Sequence, residues 1–83
     1  MIIHLTYETR NWTSEKTWRI APSGVPWIKE GHWIKVGEYS YIGDGVDIGD
    51  GVTIGDGASI RCNVKVAKCT VVEQYVSIHA RHH

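Results

Sequence analysis

Residues 42–59 read IGDGVDIGDGVTIGDGAS, three hexapeptides that differ only at their last two positions. The branched residue that opens each belongs to a longer column: Val36, Ile42, Ile48, Ile54, Ile60, Val66, Val72 and Ile78 recur at every sixth position. A second column follows four residues later, at Ser40, Val46, Val52, Ala58, Val64, Thr70, Val76 and His82, small or β-branched in all but the last. A period of six fits neither an amphipathic helix nor a strand alternating at two. It fits a chain that turns a corner in every hexad, with both columns pointing inward. The fourth hexad position reads Tyr39, Gly45, Gly51, Gly57, Asn63, Cys69, Tyr75 and Arg81. Gly and Asn enter positive φ at low cost, so the corners are expected to be well specified in the middle and poorly specified toward the end.

This run resembles the hexapeptide-repeat proteins of the bacterial transferase hexapeptide family, and the short chain is similar to stand-alone members from phage or mobile-element genomes. The resemblance implies an all-β fold, a left-handed parallel β-helix of triangular section, usually trimeric, in which three hexads, about eighteen residues, complete a turn. Eight hexads then give fewer than three turns. On this reading residues 36–83 form the β-helix and residues 1–35 an N-terminal hairpin and Trp-rich cap, within one structural domain. The segment IIHLTYE alternates like a strand, TRN or TSEK supplies a turn, and KTWRIA reads as the returning strand before APSGVP breaks the pattern. Trp12, Trp18, Trp27 and Trp33 all fall in this part, where they are expected to cover the open end of the coil or pack against a neighbouring chain. Ile34 and Val36 both look inward, which leaves the register near residues 30–36 open.

A chain of 83 residues has little interior to stabilise it. Cys62 and Cys69 are a lone pair rather than a disulfide framework, so association with identical chains, a homotrimer, is the expected reinforcement. Nine basic and nine acidic residues cancel, which gives no reason to expect a nucleic-acid or membrane partner. No apolar run has spanning length and the start lacks a signal-peptide layout, so a cytoplasmic protein is expected.

With whole hexads assigned to three faces in rotation, one face gathers cations: Gly43, Arg61 and His79 in one column, Asp47, Lys65 and His83 in the other. Such a cluster attracts a phosphate or carboxylate. A ligand site of Arg61, Lys65 and His79, with Tyr41 or Trp33 supplied by a neighbouring chain, would suit a small anionic, nucleotide-like molecule. Outward Val71 suits a subunit contact. No cofactor and no metal are expected: Asp44, Asp50 and Asp56 fall on three different corners, as solvated turns that cannot converge on one ion, and the spacing of the terminal HARHH does not match the metal motif of the γ-class carbonic anhydrases. The resemblance also admits a minimal acyltransferase or γ-carbonic-anhydrase-like enzyme using His32 or His79, but a coil this short offers little of the groove an acyl carrier needs. The expected function is therefore a non-enzymatic trimer that sequesters a small anion or occupies a host protein, with a structural trimeric tip or connector as a further alternative.

Overall fold

A computed structural model describes residues 2–79. The terminal Arg81, His82 and His83, and with them the expectations placed on HARHH, lie outside the described residues.

From residue 33 onward the chain lays down short strands in a fixed rotation: β4 (Trp33–Val36), β5 (Tyr41–Ile42), β6 (Asp47–Ile48), β7 (Val52–Ile54), β8 (Ser59–Ile60), β9 (Lys65–Val66), β10 (Val71–Val72) and β11 (Ser77–Ile78). Each pairs in parallel with the third strand after it. One stack is β4, β7 and β10, a second β5, β8 and β11, and the third β6 and β9. The register joins like positions of the repeat: Val36 faces Ile54 and Ile54 faces Val72, Ile42 faces Ile60 and Ile60 faces Ile78, and Ile48 faces Val66.

Both columns read from the sequence are interior from residue 40 to residue 66, and Val76 near the end is 38% exposed. Ile42, Ile48, Ile54, Ile60, Val66 and Val72 are buried, as are Ser40, Val46, Val52, Ala58 and Val64. The two candidates near residue 35 are both part of this pattern, since Ile34 faces Val52 in the second column while Val36 faces Ile54 in the first. Pairing also reaches upstream of residue 36: Ile28 bridges to Ile48, and the Ile48 amide donates to the Trp27 carbonyl at 2.8 Å.

The corners are more uniform than their sequence. Residues 39, 45, 51, 57, 63, 69 and 75 all have positive φ, from +60° at Cys69 and Tyr75 to +74° at Gly45. The poorly specified corners therefore turn as the glycine corners do. The cause is tertiary. From Gly51 to Tyr75 each corner amide donates to a carbonyl of the preceding turn, as in Asn63 to Asp44, Cys69 to Asp50 (both 2.8 Å) and Tyr75 to Asp56 (2.9 Å). The ladder imposes a left-handed conformation that Cys and Tyr would not choose alone.

The N-terminal part departs from expectation. Only Ile3–His4 of the segment IIHLTYE is a strand (β1), paired antiparallel with β5, and Leu5–Thr9 forms a single short helix, α1. Leu5 and Thr9, four residues apart, lie on one helical face and are both fully buried, and the Thr9 hydroxyl donates to the Leu5 carbonyl at 2.8 Å. Ile3 and Leu5, two residues apart, fit an alternating strand, whereas Leu5 and Thr9, four apart, fit a helix, and burial of Thr9 decides for the helix. The hairpin lies further on, between β2 (Thr13–Glu15) and β3 (Trp18–Ile20), with Lys16 at φ +57° in its turn. β3 then pairs antiparallel with β4, extending the first stack to five strands. Arg19 ties the hairpin to the helix by donating from one guanidinium nitrogen to the carbonyls of Thr9 (3.2 Å) and Arg10 (3.1 Å), two of the acceptors that a helix end leaves free. Trp12 stacks on buried Trp27 with ring centroids 5.4 Å apart, so these two tryptophans pack with the core. The chain is mostly β with one short helix.

Candidate ligand-binding surfaces

Because the left-handed residue stands fourth in each hexad, the chain leaves one stack in mid-hexad. The last residue of a hexad and the first of the next share a strand, as Asp47 and Ile48 do in β6. This splits the face assigned to the cations. Arg61 follows β8 in the second stack, where its amide donates to the Ile78 carbonyl at 2.8 Å beside exposed His79. Lys65 opens β9 in the third stack, opposite Asp47. Asn63, at φ +64°, stands between them as the corner. The columns expected from the sequence are present, with Arg61 close to His79 and Lys65 in register with Asp47, but they lie on two sides of a corner rather than on one face.

Tyr41 shares the second stack with Arg61 and His79, and Trp33 lies in the first. Tyr41 is in β5, facing Ser59, and its ring meets that of His4 edge-on at 6.1 Å. Trp33 begins β4; its amide donates to Asp50 Oδ1 at 2.7 Å, and its side chain, 38% exposed, lines a cleft with Trp18 and Gly51. The five sequence-predicted residues thus occupy three stacks, and a single chain does not gather them into one pocket.

The aspartates of the GDG corners do more than solvate a turn. Asp50 Oδ1 accepts from Trp33, and Asp56 Oδ1 accepts from the Glu38 amide at 2.8 Å, so each clamps its corner to the turn before it. A carboxylate is a strong acceptor for a backbone N–H, and its recurrence at the third position of three successive hexads was the available signal. Among the described residues, no group of three or more His, Cys, Asp and Glu side chains is placed to hold a metal. Cys62 and Cys69 are free and exposed. His32 Nδ1 is buried without a hydrogen-bond partner, and neither His32 nor exposed His79 is hydrogen-bonded to a carboxylate among the described residues.

One cleft was not anticipated. About 410 Å³ in volume, it opens between α1 and the corner at Tyr39, and His4, Tyr7, Arg10, Glu38 and Tyr39 line it. The Arg10 guanidinium lies over the Tyr7 ring, 4.4 Å from its centroid. Reading residues 2–8 as a strand, with Arg10 in a turn after it, hid this arrangement. On a helix, Tyr7 and Arg10 are three residues apart and share a face; on a strand they would point to opposite faces.

Three strand stacks visited in rotation, with buried branched residues at every sixth position, define the chain as a mostly β repeat protein. Residues 34–68 match the family described as bacterial transferase hexapeptide (six repeats), and this segment is a hexapeptide repeat of that family. No curated protein and no solved structure matches the chain.

Proposed function

We propose that the hexads wind a short left-handed parallel β-helix, and that the chain acts as a non-enzymatic homotrimer that binds a small anionic, nucleotide-like ligand. The observation that carries the assembly is the outer face of the five-stranded sheet. Lys35, Thr53 and Val71 stand in register along it, Val71 is 66% exposed, and the Lys35 ammonium lies 5.0 Å from the centroid of the Trp18 ring. Trp33 adjoins Trp18 at the same edge. An exposed valine and two partly exposed indoles, with Thr53 and Lys35 between them, give this sheet face the mixed apolar and polar character of a protein contact. The scatter of Arg61, Lys65, His79, Tyr41 and Trp33 over three stacks also favours a multimer, because in a three-fold assembly the corner of one chain meets the face of the next.

Native mass spectrometry on gently purified protein tests both parts. A mass of three chains with a reproducible small excess is the expected result, and Val71→Asp should shift the protein to single chains. A wild-type monomer refutes the assembly, while a bare trimer moves the reading toward a host-protein target or a structural connector.

A further inference from the structure

We infer that the cleft between α1 and the Tyr39 corner is the ligand site within each chain, and that it takes a planar aromatic group carrying an anion. The inference rests on the proposed function only for the ligand's charge. It does not require the trimer.

Arg10 is the first ground. Its guanidinium lies on the Tyr7 ring at 4.4 Å, and it forms no ion pair among the described residues, although Glu38 lines the same cleft. A guanidinium supported by an aromatic face keeps its planar fork available to a phosphate or carboxylate. The ring also lowers the entropy lost when the fork is engaged.

Tyr39 is the second and independent ground. It holds φ at +62°, yet its side chain is 84% exposed. Glycine fills the equivalent corner at residues 45, 51 and 57. A bulky residue in this conformation is strained, and burial offsets none of the strain. An exposed ring in a cleft that a second tyrosine also lines is a surface on which a planar ligand stacks. The volume, about 410 Å³, is within the range of small-molecule sites. Glu38 disfavours a bare anion and can accept a hydrogen bond from the N–H edge of a heteroaromatic ring. The combination therefore selects an aromatic anion, such as a nucleoside monophosphate, over inorganic phosphate. Tyr75 supplies a built-in control: it occupies the same hexad position at φ +60° and is 80% exposed, but its ring lies against Gly57, outside the cleft.

The test is calorimetric titration of the full chain with AMP, GMP, CMP and UMP, with adenosine and inorganic phosphate as fragments, at one protein concentration and with native mass recorded for every variant. At least one nucleotide should bind at least tenfold more tightly than either fragment. Arg10→Gln should weaken nucleotide binding at least tenfold and leave adenosine unchanged. Tyr39→Gly should weaken both while raising the Tm by roughly 2–8 °C, because the ring is lost and the corner relaxes. Tyr75→Gly should raise the Tm with nucleotide affinity unchanged. Failure of all four nucleotides to bind overturns the inference, as does phosphate binding as tightly as they do. Loss of binding in Arg61→Gln or Lys65→Gln, with none in Arg10→Gln, also overturns it and moves the ligand to the subunit boundary. Binding by a single-chain species would keep the cleft and refute the trimer, and a trimer that binds none of the probes would do the reverse.

Discussion

Gly49→Ala tests whether the turns are stacked as closely as the hydrogen-bond ladder implies. A Cβ at residue 49 would lie 2.6 Å from the Lys68 amide nitrogen, 2.9 Å from Lys68 Cα and 3.0 Å from the Ala67 carbonyl carbon. All three are backbone atoms, so no side-chain rotation relieves the contact. Reaching ordinary contact near 3.4 Å requires the two turns to separate locally by about 0.8 Å. Gly49 donates to the Val66 carbonyl at 2.9 Å, and that separation would stretch the bond toward about 3.7 Å, beyond the hydrogen-bonding range. The loss is about 1 kcal/mol for the bond and roughly 1–3 kcal/mol for strain in a well-packed region. Removal of a glycine from the unfolded chain returns about 0.4–1 kcal/mol. A net destabilisation of about 1–3 kcal/mol should appear in urea unfolding as a lower midpoint with an unchanged slope. Ala67 occupies the same hexad position three hexads later, so the residue type is acceptable to the repeat and only the backbone packed against residue 49 forbids it. A stability change smaller than about 0.5 kcal/mol would refute the close stacking.

Three further perturbations probe other levels of the structure. Ile54→Ala removes a side chain that is 1% exposed and should cost about 2–5 kcal/mol by equilibrium unfolding, with a cost near zero showing that the column is not packed. Asp56→Ala deletes the carboxylate that accepts from the Glu38 amide and should cost about 1–2 kcal/mol, with faster hydrogen exchange at Glu38 as the local signature. Arg19→Met keeps the aliphatic stem but frees the Arg10 carbonyl and leaves the Thr9 carbonyl to the Trp12 amide alone; it should expose α1 to proteolysis at concentrations of protease that leave the wild type intact.

The repeat was legible because its period is a direct physical requirement. A branched residue every sixth position is what a corner every sixth position demands, and the register Ile42, Ile60, Ile78 follows from the columns alone. The N-terminal cap was less legible because Ile3 and Leu5, two residues apart, fit an alternating strand, and Thr9, which shares a helical face with Leu5, is polar and gives no hydrophobic signal. The candidate cation face failed for a geometric reason already implicit in the corner: a left-handed residue at position four places Arg61 and Lys65 on different stacks. The cleft at Arg10 and Tyr7 depended on the helix and was lost with it.

The departures from the repeat have a common cause at one position and different causes at another. At the second hexad position Gly37, Gly43, Gly49 and Gly55 each lie against the backbone of the next turn, so a side chain there is excluded by packing. Side chains appear at this position from Arg61 onward, and among the described residues no later turn is packed against Ala67 or Glu73. The side chains at Ala67 and Glu73 require nothing beyond the geometry of the stack, whereas Arg61 lies beside β11. At the fourth position the same geometry favours glycine in every turn, since every corner described is left-handed. Tyr39 and Tyr75 therefore oppose the frame rather than follow it. Tyr75 recovers part of the strain by laying its ring on Gly57, where a Cβ would lie 2.6 Å from its Cδ1. Tyr39 has no such contact with Gly57 and lines the Arg10 cleft instead. A residue that the frame disfavours, and that packing does not explain, is where a requirement from outside the fold is to be sought, and this separates Tyr39 from the other interruptions of the repeat.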